Sequence, residues 1–200
     1  MQFKGVKLGF ALTGSHCTYA DIWSQIESLV NLGADVYPIA AHSAAYTDTR
    51  FGKGREIIAK LEQLTGKDVI IDIVDAEPVG PKKLFDVLII APCTGNSLAK
   101  LANGIIDTGV LMAAKAHLRN EKPLVIGIST NDGLSMNAKN IGILLNVRNV
   151  FFVPFGQDNP QQKPNSLVAD MSLIIPTIEQ AVNYQQIQPI IIERTMRKVN

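Results

Sequence analysis

Short, uninterrupted apolar stretches recur along the chain, and each one stops at glycine, proline or a group of polar residues. Every stretch is far shorter than the ~20 apolar residues that a helix needs to span a bilayer. Continuous apolar runs of this length are typical of strands that are buried on both faces of a sheet. We predict six such strands, at residues 6–12, 36–41, 69–74, 87–91, 124–128 and 150–155.

Segments with helical periodicity separate these runs. In the first of them, Ile22, Ile26, Leu29 and Val30 recur at helical spacing, and Gly33 ends the helix. We predict further helices at residues 53–64, which ends at Gly66, and 97–118, with a break at Asn103-Gly104. Two more are predicted at residues 137–147 and at 171–182, the latter with a bend at Pro176. Strands that alternate with helices predict an α/β fold with a doubly wound, mostly parallel sheet and helices on both faces.

The chain shows neither an internal repeat nor a linker that would divide it. We therefore predict a single domain over residues 1–187 and a C-terminal tail over residues 188–200, which alternates apolar and basic residues. The Pro- and Gln-rich segment 157–166 is interpreted as a loop or a flap.

The charge balance excludes ligands that are captured mainly by a long-range field. Nineteen Lys and Arg residues against eighteen Asp and Glu residues leave a net charge of +1, which argues against nucleic acid and anionic membranes as partners. Two cysteines cannot form a disulfide framework, and the first apolar run is interpreted as a strand rather than a signal peptide. These features predict a cytoplasmic protein.

The loop after the first strand has the composition of an anion site. Thr13-Gly14-Ser15 leads directly into a helix, so that backbone N–H groups and hydroxyls can meet a phosphate. The G-x-G-x-x-G fingerprint is absent, and the second strand ends in Ala41-His42-Ser43 without the acid that holds an NAD ribose. A mononucleotide or another phosphate therefore fits better than NAD, and the alternative is an ordinary strand–helix turn.

The loop after the fourth predicted strand is richer in small donors. Thr94, Asn96 and Ser97 lie where a helix begins, and Gly95 permits close approach of a ligand to the backbone. Lys100, Asn103 and Asp107 continue the polar set along the same segment. Asn96 or Ser97 could serve only as a helix cap, but capping alone does not require so many polar side chains.

This second loop carries a resemblance to a known family. Pro92, Asn96, Ala99-Lys100, 102–105 and Asp107 resemble the signature of the flavoproteins that include cysteine decarboxylases, phosphopantothenoylcysteine decarboxylases and flavin prenyltransferases. That signature reads Pro-Ala-Ser-Ala-Asn-Thr, followed by a stretch like Ala-Lys-Ile-Ala-Asn-Gly. The resemblance implies a Rossmann-like fold and FMN, with the phosphate between the first and fourth strand loops. The flavin contacts it implies are Thr13, Gly14, Ser15, Ser43, Thr94, Asn96 and Ser97.

The chain also departs from the decarboxylases of that family. Their catalytic His has no counterpart in the segment TDTRFGKGREI, and their Pro-Ala-Met-Asn signature is replaced by Ser-Thr-Asn-Asp-Gly-Leu at residues 129–134. The segment from residue 135 to residue 166 instead resembles one branch of the family, as do TGSHCTY and PFGQDNP.

Members of that branch act beside an NAD(P)-dependent partner subunit in the mother cell of sporulating bacteria. The resemblance thus implies an oxidoreductase subunit that converts a dihydrodipicolinate precursor into dipicolinate, in a homo-oligomeric assembly. Two alternatives remain open. One is an accessory flavin- or phosphate-binding subunit without chemistry of its own, and the other is a stand-alone flavin-dependent decarboxylase.

Several side chains are candidates for chemistry. His16 and Asp132 are the candidate catalytic residues, and a dicarboxylate substrate needs cations such as arginines, which can bind a carboxylate with two hydrogen bonds. The candidate substrate-binding residues are Arg50, Arg55, Lys100 and Asn131. Cys17 and Cys93 match no zinc spacing, so we predict no metal and interpret them as small buried residues. His117 is expected at the solvated end of a helix.

Overall fold

The computed structural model describes residues 2–193, which form a sheet flanked by helices. The strands are β1 (Lys7–Leu12), β2 (Asp35–Ala40), β3 (Val87–Cys93), β4 (Leu124–Thr130), β5 (Val150–Phe152), β6 (Phe155–Gly156) and β7 (Leu167–Ala169). The α-helices are α1 (Tyr19–Asn31), α2 (His42–Ala45), α3 (Gly54–Thr65), α4 (Ile73–Ala76), α5 (Gly95–Ala102), α6 (Gly109–Arg119), α7 (Ala138–Leu145) and α8 (Ile174–Ala181). Short 3-10 turns occupy His16–Thr18, Glu77–Val79 and Met171–Leu173.

The strand order confirms the doubly wound sheet. β2, β1, β3, β4 and β5 are parallel neighbours in that order. Beyond the end of β5, the last residues of β4 pair with the antiparallel hairpin of β7 and β6, which brings the sheet to seven strands. The chain order reverses direction between β1 and β3, and ligands of such sheets bind at this switch point, beyond the carboxyl ends of the strands.

The central strand explains why the apolar runs are unbroken. All seven residues of β3 are buried, and the side chains of Val87, Leu88, Ile89 and Ile90 are completely inaccessible. Since successive side chains of a strand point to opposite faces, both faces of the sheet are covered. An alternating pattern would have left one face to solvent.

Three glycines end or interrupt helices where the sequence predicted them. Gly33 and Gly66 follow α1 and α3 with φ of 92° and 67°, values that a residue without a Cβ adopts at little cost. Gly104, with φ of 69°, separates α5 from α6. The predicted break in the long helical segment is thus confirmed.

The strand predicted at residues 69–74 is wrong. Ile70 alone bridges to Ile39, with its N–H bonded to the Pro38 carbonyl at 3.0 Å and its carbonyl accepting the Ala40 N–H at 2.9 Å. On the same edge of β2, Pro38 has no N–H to donate to the Asp68 carbonyl, so the ladder cannot extend toward the start of the segment. In the other direction the pairing ends because the chain turns into α4 at Ile73.

Two predictions for the last third of the chain also change. The strand predicted at 150–155 is divided into β5 and β6, with Pro154 between them. Segment 157–166 connects β6 to β7, and the Gln157 side chain donates to the Pro164 carbonyl across it at 2.8 Å. Pro176 lies in the first turn of α8, where no intrahelical N–H bond is lost, rather than at a bend.

The described part of the predicted tail is attached to the domain. The Phe155 N–H donates to the Ile190 carbonyl, and the Ile192 N–H donates to the Phe155 carbonyl, both at 3.0 Å. The rest of that tail, residues 194–200, lies outside the described residues. Within residues 2–193 we find no helix with the length and apolarity needed to cross a membrane.

Candidate functional site

A cleft of about 380 Å³ opens at the switch point, beyond the carboxyl ends of β1 and β3. Its volume lies within the range of about 300–1,000 Å³ that is usual for small-molecule sites. The loops after β1, β2 and β3 and the first residues of α5 and α6 form its walls. The lining residues are Gly14, Ala41, His42, Ser43, Thr94, Asn96, Ser97, Lys100, Thr108 and Leu111.

Thr13 joins the two central strands below this cleft. Its buried hydroxyl donates to the Pro92 carbonyl at 2.6 Å and accepts the Thr94 N–H at 3.0 Å. Ser15 likewise donates to the Ser129 carbonyl at 2.8 Å. Both hydroxyls therefore hold the loops after β1, β3 and β4 in place, and neither residue is among those that line the cleft.

Gly14 and Ser43 meet across the cleft. A Cβ on Gly14 would lie 3.0 Å from Ser43 Oγ, which is tighter than an ordinary contact. The glycine therefore leaves a concave surface between the loops after β1 and β2. The structure brings together five of the predicted flavin contacts at this cleft, namely Gly14, Ser43, Thr94, Asn96 and Ser97.

The start of α5 provides the electropositive wall. Thr94 caps the helix by accepting the Ser97 N–H at 3.2 Å, and the two hydroxyls lie 3.1 Å apart. The N–H groups of the first turn and the helix dipole favour an anion at this end. Lys100 also lines the cleft, and its ammonium is 2.6 Å from Asp107. Thr94 is thus both a cap and a wall of the cleft.

Asp132 belongs to a polar cluster behind the first turn of α5. The Thr130 hydroxyl donates to Asp132 Oδ1, and the Asn137 amide donates to Asp132 Oδ2 at 2.9 Å. A Cβ on Gly95 would lie 2.5 Å from Asn137 Nδ2, 2.6 Å from Thr130 Oγ1 and 2.7 Å from Asp132 Oδ1. A glycine is therefore required where the family signature has its second Ala.

The cluster continues through amides that the sequence did not single out. Asn140 donates to Asn137 Oδ1 at 2.8 Å, and Asn103 donates to Asn140 Oδ1 at 3.3 Å. Asn137 and Asn140 are buried. The sequence did contain a signal for Asn137. The decarboxylase signature Pro-Ala-Met-Asn was compared with residues 129–134, but its last two residues, Met-Asn, occur slightly later, at Met136-Asn137.

His42 and Asp72 form a pair at the rim of the cleft. His42 Nε2 lies 2.8 Å from Asp72 Oδ1, and the Tyr46 ring is 5.5 Å away in an edge-on arrangement. His42 lines the cleft beside Ser43. Sequence reasoning could not find this pair, because its members are thirty positions apart and lie in different loops.

His16 lies beside the cleft rather than among its lining residues. Its half-buried ring packs 5.0 Å from the ring of Tyr19, whose hydroxyl donates to the Thr13 carbonyl at 2.6 Å. His16 Nδ1 is buried and, among the described residues, has no hydrogen-bond partner. Burial, together with the nearby Cys17, raises the pKa of Tyr19 well above its ordinary value, so its phenol stays protonated.

The two cysteines differ in exposure. Cys93 is completely buried, as predicted, and burial raises the pKa of its thiol far above the ordinary value. Cys17 is exposed, which corrects the expectation that both are buried. Across residues 2–193, no three His, Cys, Asp or Glu side chains are grouped to hold a metal ion.

Three of the predicted substrate-binding residues are exposed and lie outside the lining of the cleft. Arg50 packs over the Phe51 ring at 4.8 Å, Arg55 lies in the first turn of α3, and Asn131 follows β4. Lys100 is the member of the set that does line it. A role for Arg50, Arg55 and Asn131 in holding a substrate carboxylate stays a prediction.

Comparison with known sequences gives the family of the chain. The family model described as Flavoprotein matches residues 2–192. The B subunit of dipicolinate synthase from Bacillus subtilis is 55% identical over 192 residues, or 96% of each chain. A flavin prenyltransferase of Archaeoglobus fulgidus is 30% identical over 149 residues, which cover 72% of this chain and 78% of the relative.

A solved structure agrees with these matches. The crystal structure of the B subunit of dipicolinate synthase from Bacillus halodurans superposes with a TM-score of 0.89 and 53% identity, covering 98% of this chain and 100% of that one. The resemblance predicted from the loop after β3 is therefore confirmed over almost the whole length. The chain belongs to the flavoprotein family.

Proposed function

We propose that this chain is the B subunit of a dipicolinate synthase. In this proposal it acts with an NAD(P)-dependent A subunit and converts a dihydrodipicolinate precursor into dipicolinate in the mother cell of a sporulating bacterium. The main support is identity of 55% over 96% of both chains with a protein of that name.

We further propose that the cleft binds FMN. The donor set suits a phosphate: it comprises hydroxyls of Ser43, Thr94 and Ser97, the Asn96 amide and the N-terminal end of α5. The concave surface at Gly14 lets the group approach the backbone. The second strand ends without an acid for a second ribose, which favours a mononucleotide over a dinucleotide.

The protein residues have separate parts in this proposal. When bound, FMN would supply a redox-active ring system beside the substrate, the NAD(P)+ of the A subunit is the final acceptor of the hydride, and the protein supplies binding and orientation. The hydroxyls and the α5 terminus hold the phosphate, and Thr13 and Ser15 keep the three loops at fixed distances. Lys100, restrained by Asp107, offers a cation for a carboxylate of the substrate.

Binding of FMN is tested directly by flavin fluorescence titration. Gly14→Val should raise the Kd for FMN by about tenfold or more, equal to about 1.4 kcal/mol, because its side chain fills the space beside Ser43. Ala59→Val adds similar bulk to the exposed face of α3 and should leave the Kd unchanged. Failure of the unchanged protein to bind FMN at saturating concentration contradicts the cofactor assignment.

The reaction is tested by mixing the chain with its A subunit, the dihydrodipicolinate precursor and NAD(P)+, and following dipicolinate formation. The proposal expects formation only when both subunits are present. Full activity of the A subunit alone would favour the alternative of an accessory subunit without chemistry of its own. Lys100→Ala should raise the KM for the precursor, whereas Lys139→Ala on the exposed side of α7 should not.

A further inference from the structure

His42, which pairs with Asp72, lines the proposed reaction site and has no assigned role. His42 is the first residue of α2, directly after β2, and it lines the cleft next to Ser43. Its Nε2 lies 2.8 Å from Asp72 Oδ1. An imidazole at this place can reach a molecule in the cleft while its other side contacts a carboxylate.

The position of Asp72 makes its bond to His42 an alternative to capping a helix. Asp72 precedes the first residue of α4, where aspartate commonly accepts a backbone N–H and stabilises the helix. Its side chain makes no such capping bond and is hydrogen-bonded to His42 instead. The start of α6 holds the backbone from the other side, because a Cβ on Gly109 would collide with the Ile71 carbonyl.

The pairing decides which nitrogen of His42 is basic. An ionised carboxylate only accepts hydrogen bonds, so the proton of the neutral imidazole must be on Nε2. The lone pair is then on Nδ1. The side chains of His42 and Asp72 are 61% and 59% exposed, so a proton taken up by the ring can pass to water. A carboxylate on one nitrogen and a free lone pair on the other is the arrangement of an oriented general base.

We propose that His42, oriented by Asp72, accepts the proton that the precursor loses on oxidation. The inference rests on the proposed function. Conversion of a dihydropyridine into a pyridine breaks two bonds to hydrogen and adds one ring double bond. One hydrogen leaves as hydride and reduces the NAD(P)+ of the A subunit, and the other leaves as a proton to His42 Nδ1. Asp72 stabilises the resulting imidazolium until water takes the proton.

The activity test compares His42→Gln, Asp72→Asn and a matched control, Asp75→Asn, which removes an exposed carboxylate from the same short helix. In the presence of the A subunit, His42→Gln should lower kcat by about 10²-fold, with the KM for the precursor and the Kd for FMN within about twofold. Asp72→Asn should lower kcat less, and Asp75→Asn should leave it unchanged.

The pH dependence of kcat is a second readout. The wild type should lose activity on acidification as a single basic group is protonated, and His42→Gln should lack that limb. The other titratable groups around the ring are Asp72, Tyr46 and, across the cleft, Lys100 with its partner Asp107. None of these four is changed by His42→Gln, so loss of the limb identifies the imidazole.

A structural readout is independent of turnover. The chain has three histidines, so the ¹⁵N imidazole spectrum assigns His42 by the signal that His42→Gln removes. The spectrum should show the proton on Nε2, and Asp72→Asn should shift the population toward Nδ1. A ring protonated on Nδ1 in the wild type would overturn the assignment of the base.

The two proposals fail in different ways. An active subunit pair whose kcat is unchanged by His42→Gln overturns the role of His42 and leaves the proposed function standing. If the unchanged chain and its A subunit form no dipicolinate, the proposed function itself is overturned, and the inference with it.

Discussion

His117 illustrates how the tertiary environment sets the charge of a single residue. The sequence pattern predicts a solvated helix end for it, but it is 1% exposed, with Nε2 2.9 Å from the Pro123 carbonyl. Burial lowers its pKa to about 4, against the opposing effect of that hydrogen bond. The ring is therefore neutral at physiological pH and donates its proton to the carbonyl.

The same residue predicts a pH dependence of stability. The unfolded chain takes up a proton near pH 6.5, and the folded chain takes it up only near pH 4. The free energy of unfolding should therefore fall as the pH decreases from about 6.5 to about 4, by about 3 kcal/mol. In urea denaturation series, His117→Gln should flatten this part of the profile. An unchanged slope in the variant would show that other groups cause the acid sensitivity.

Two glycines predict opposite effects of the same substitution. Gly95→Ala places a Cβ against Thr130, Asp132 and Asn137, and should lower the free energy of unfolding by about 1–3 kcal/mol. Gly142 lies inside α7, and a Cβ there would point into open space, so Gly142→Ala should raise the free energy of unfolding by about 0.5–1 kcal/mol. Urea denaturation measures both free energies of unfolding. If Gly95→Ala raised the free energy of unfolding as Gly142→Ala does, the packing described around Gly95 would be contradicted.

Among the secondary-structure elements, β5 has an outer edge that is closed by a side chain. The Phe152 N–H donates to Gln186 Oε1 at 2.7 Å, and the Gln186 amide donates to the Phe152 carbonyl at 2.8 Å. Gln186 thus replaces a neighbouring strand at the last residue of β5. An edge without such a partner can pair with another chain.

Removal of this amide should loosen β5. Gln186→Ala leaves both backbone groups of Phe152 without their partner and should lower the free energy of unfolding by about 1–3 kcal/mol. Amide hydrogen exchange at Phe152 should become faster. Gln185→Ala, at the exposed neighbouring position, is the control and should change neither quantity. Equal exchange rates in the two variants would show that Gln186 does not protect the edge.

For the whole molecule, apolar residues make up 46% of the chain, and the core between the sheet and its helices, with the side chains packed against it, accounts for most of them. Some remain on the surface around a groove of about 400 Å³ beside β5, on the far side of β4 from the cleft. The exposed apolar side chains that line this groove are Leu145, Val147 and Tyr184. Such a patch is typical of a contact between subunits, which agrees with the predicted homo-oligomer.

The assembly is tested by light scattering after gel filtration. The unchanged chain should elute as an oligomer, and the double change Leu145→Glu with Val147→Glu should lower its mass, because charges would be buried in the contact. Val74→Glu alters an exposed apolar residue on α4, away from this groove. If only Val74→Glu lowered the mass, the prediction would be wrong, and the subunit contact would lie on the side of the cleft instead of at this groove.

Local sequence patterns are sufficient to predict the doubly wound sheet and the loops that form the cleft. These depend on features that are close together in the chain: apolar runs long enough for a buried strand, and glycines such as Gly66 and Gly104 at helix ends. Each acts through bonds and near neighbours along the chain, so its effect is visible in the local pattern. The sequence pattern predicts the cap of α5 at Asn96 or Ser97, and the structure has it at Thr94, within the same loop.

Features that join residues far apart in the chain become visible only in the folded molecule. The strand predicted at 69–74 is reduced to one bridge between Ile70 and Ile39, because the chain turns away from β2 into α4 at Ile73. The pairing of His42 with Asp72 depends on where two separate loops end relative to each other. Hydrogen bonds and desolvation act over a few ångströms in space, whatever the separation along the chain, and local patterns carry no record of them.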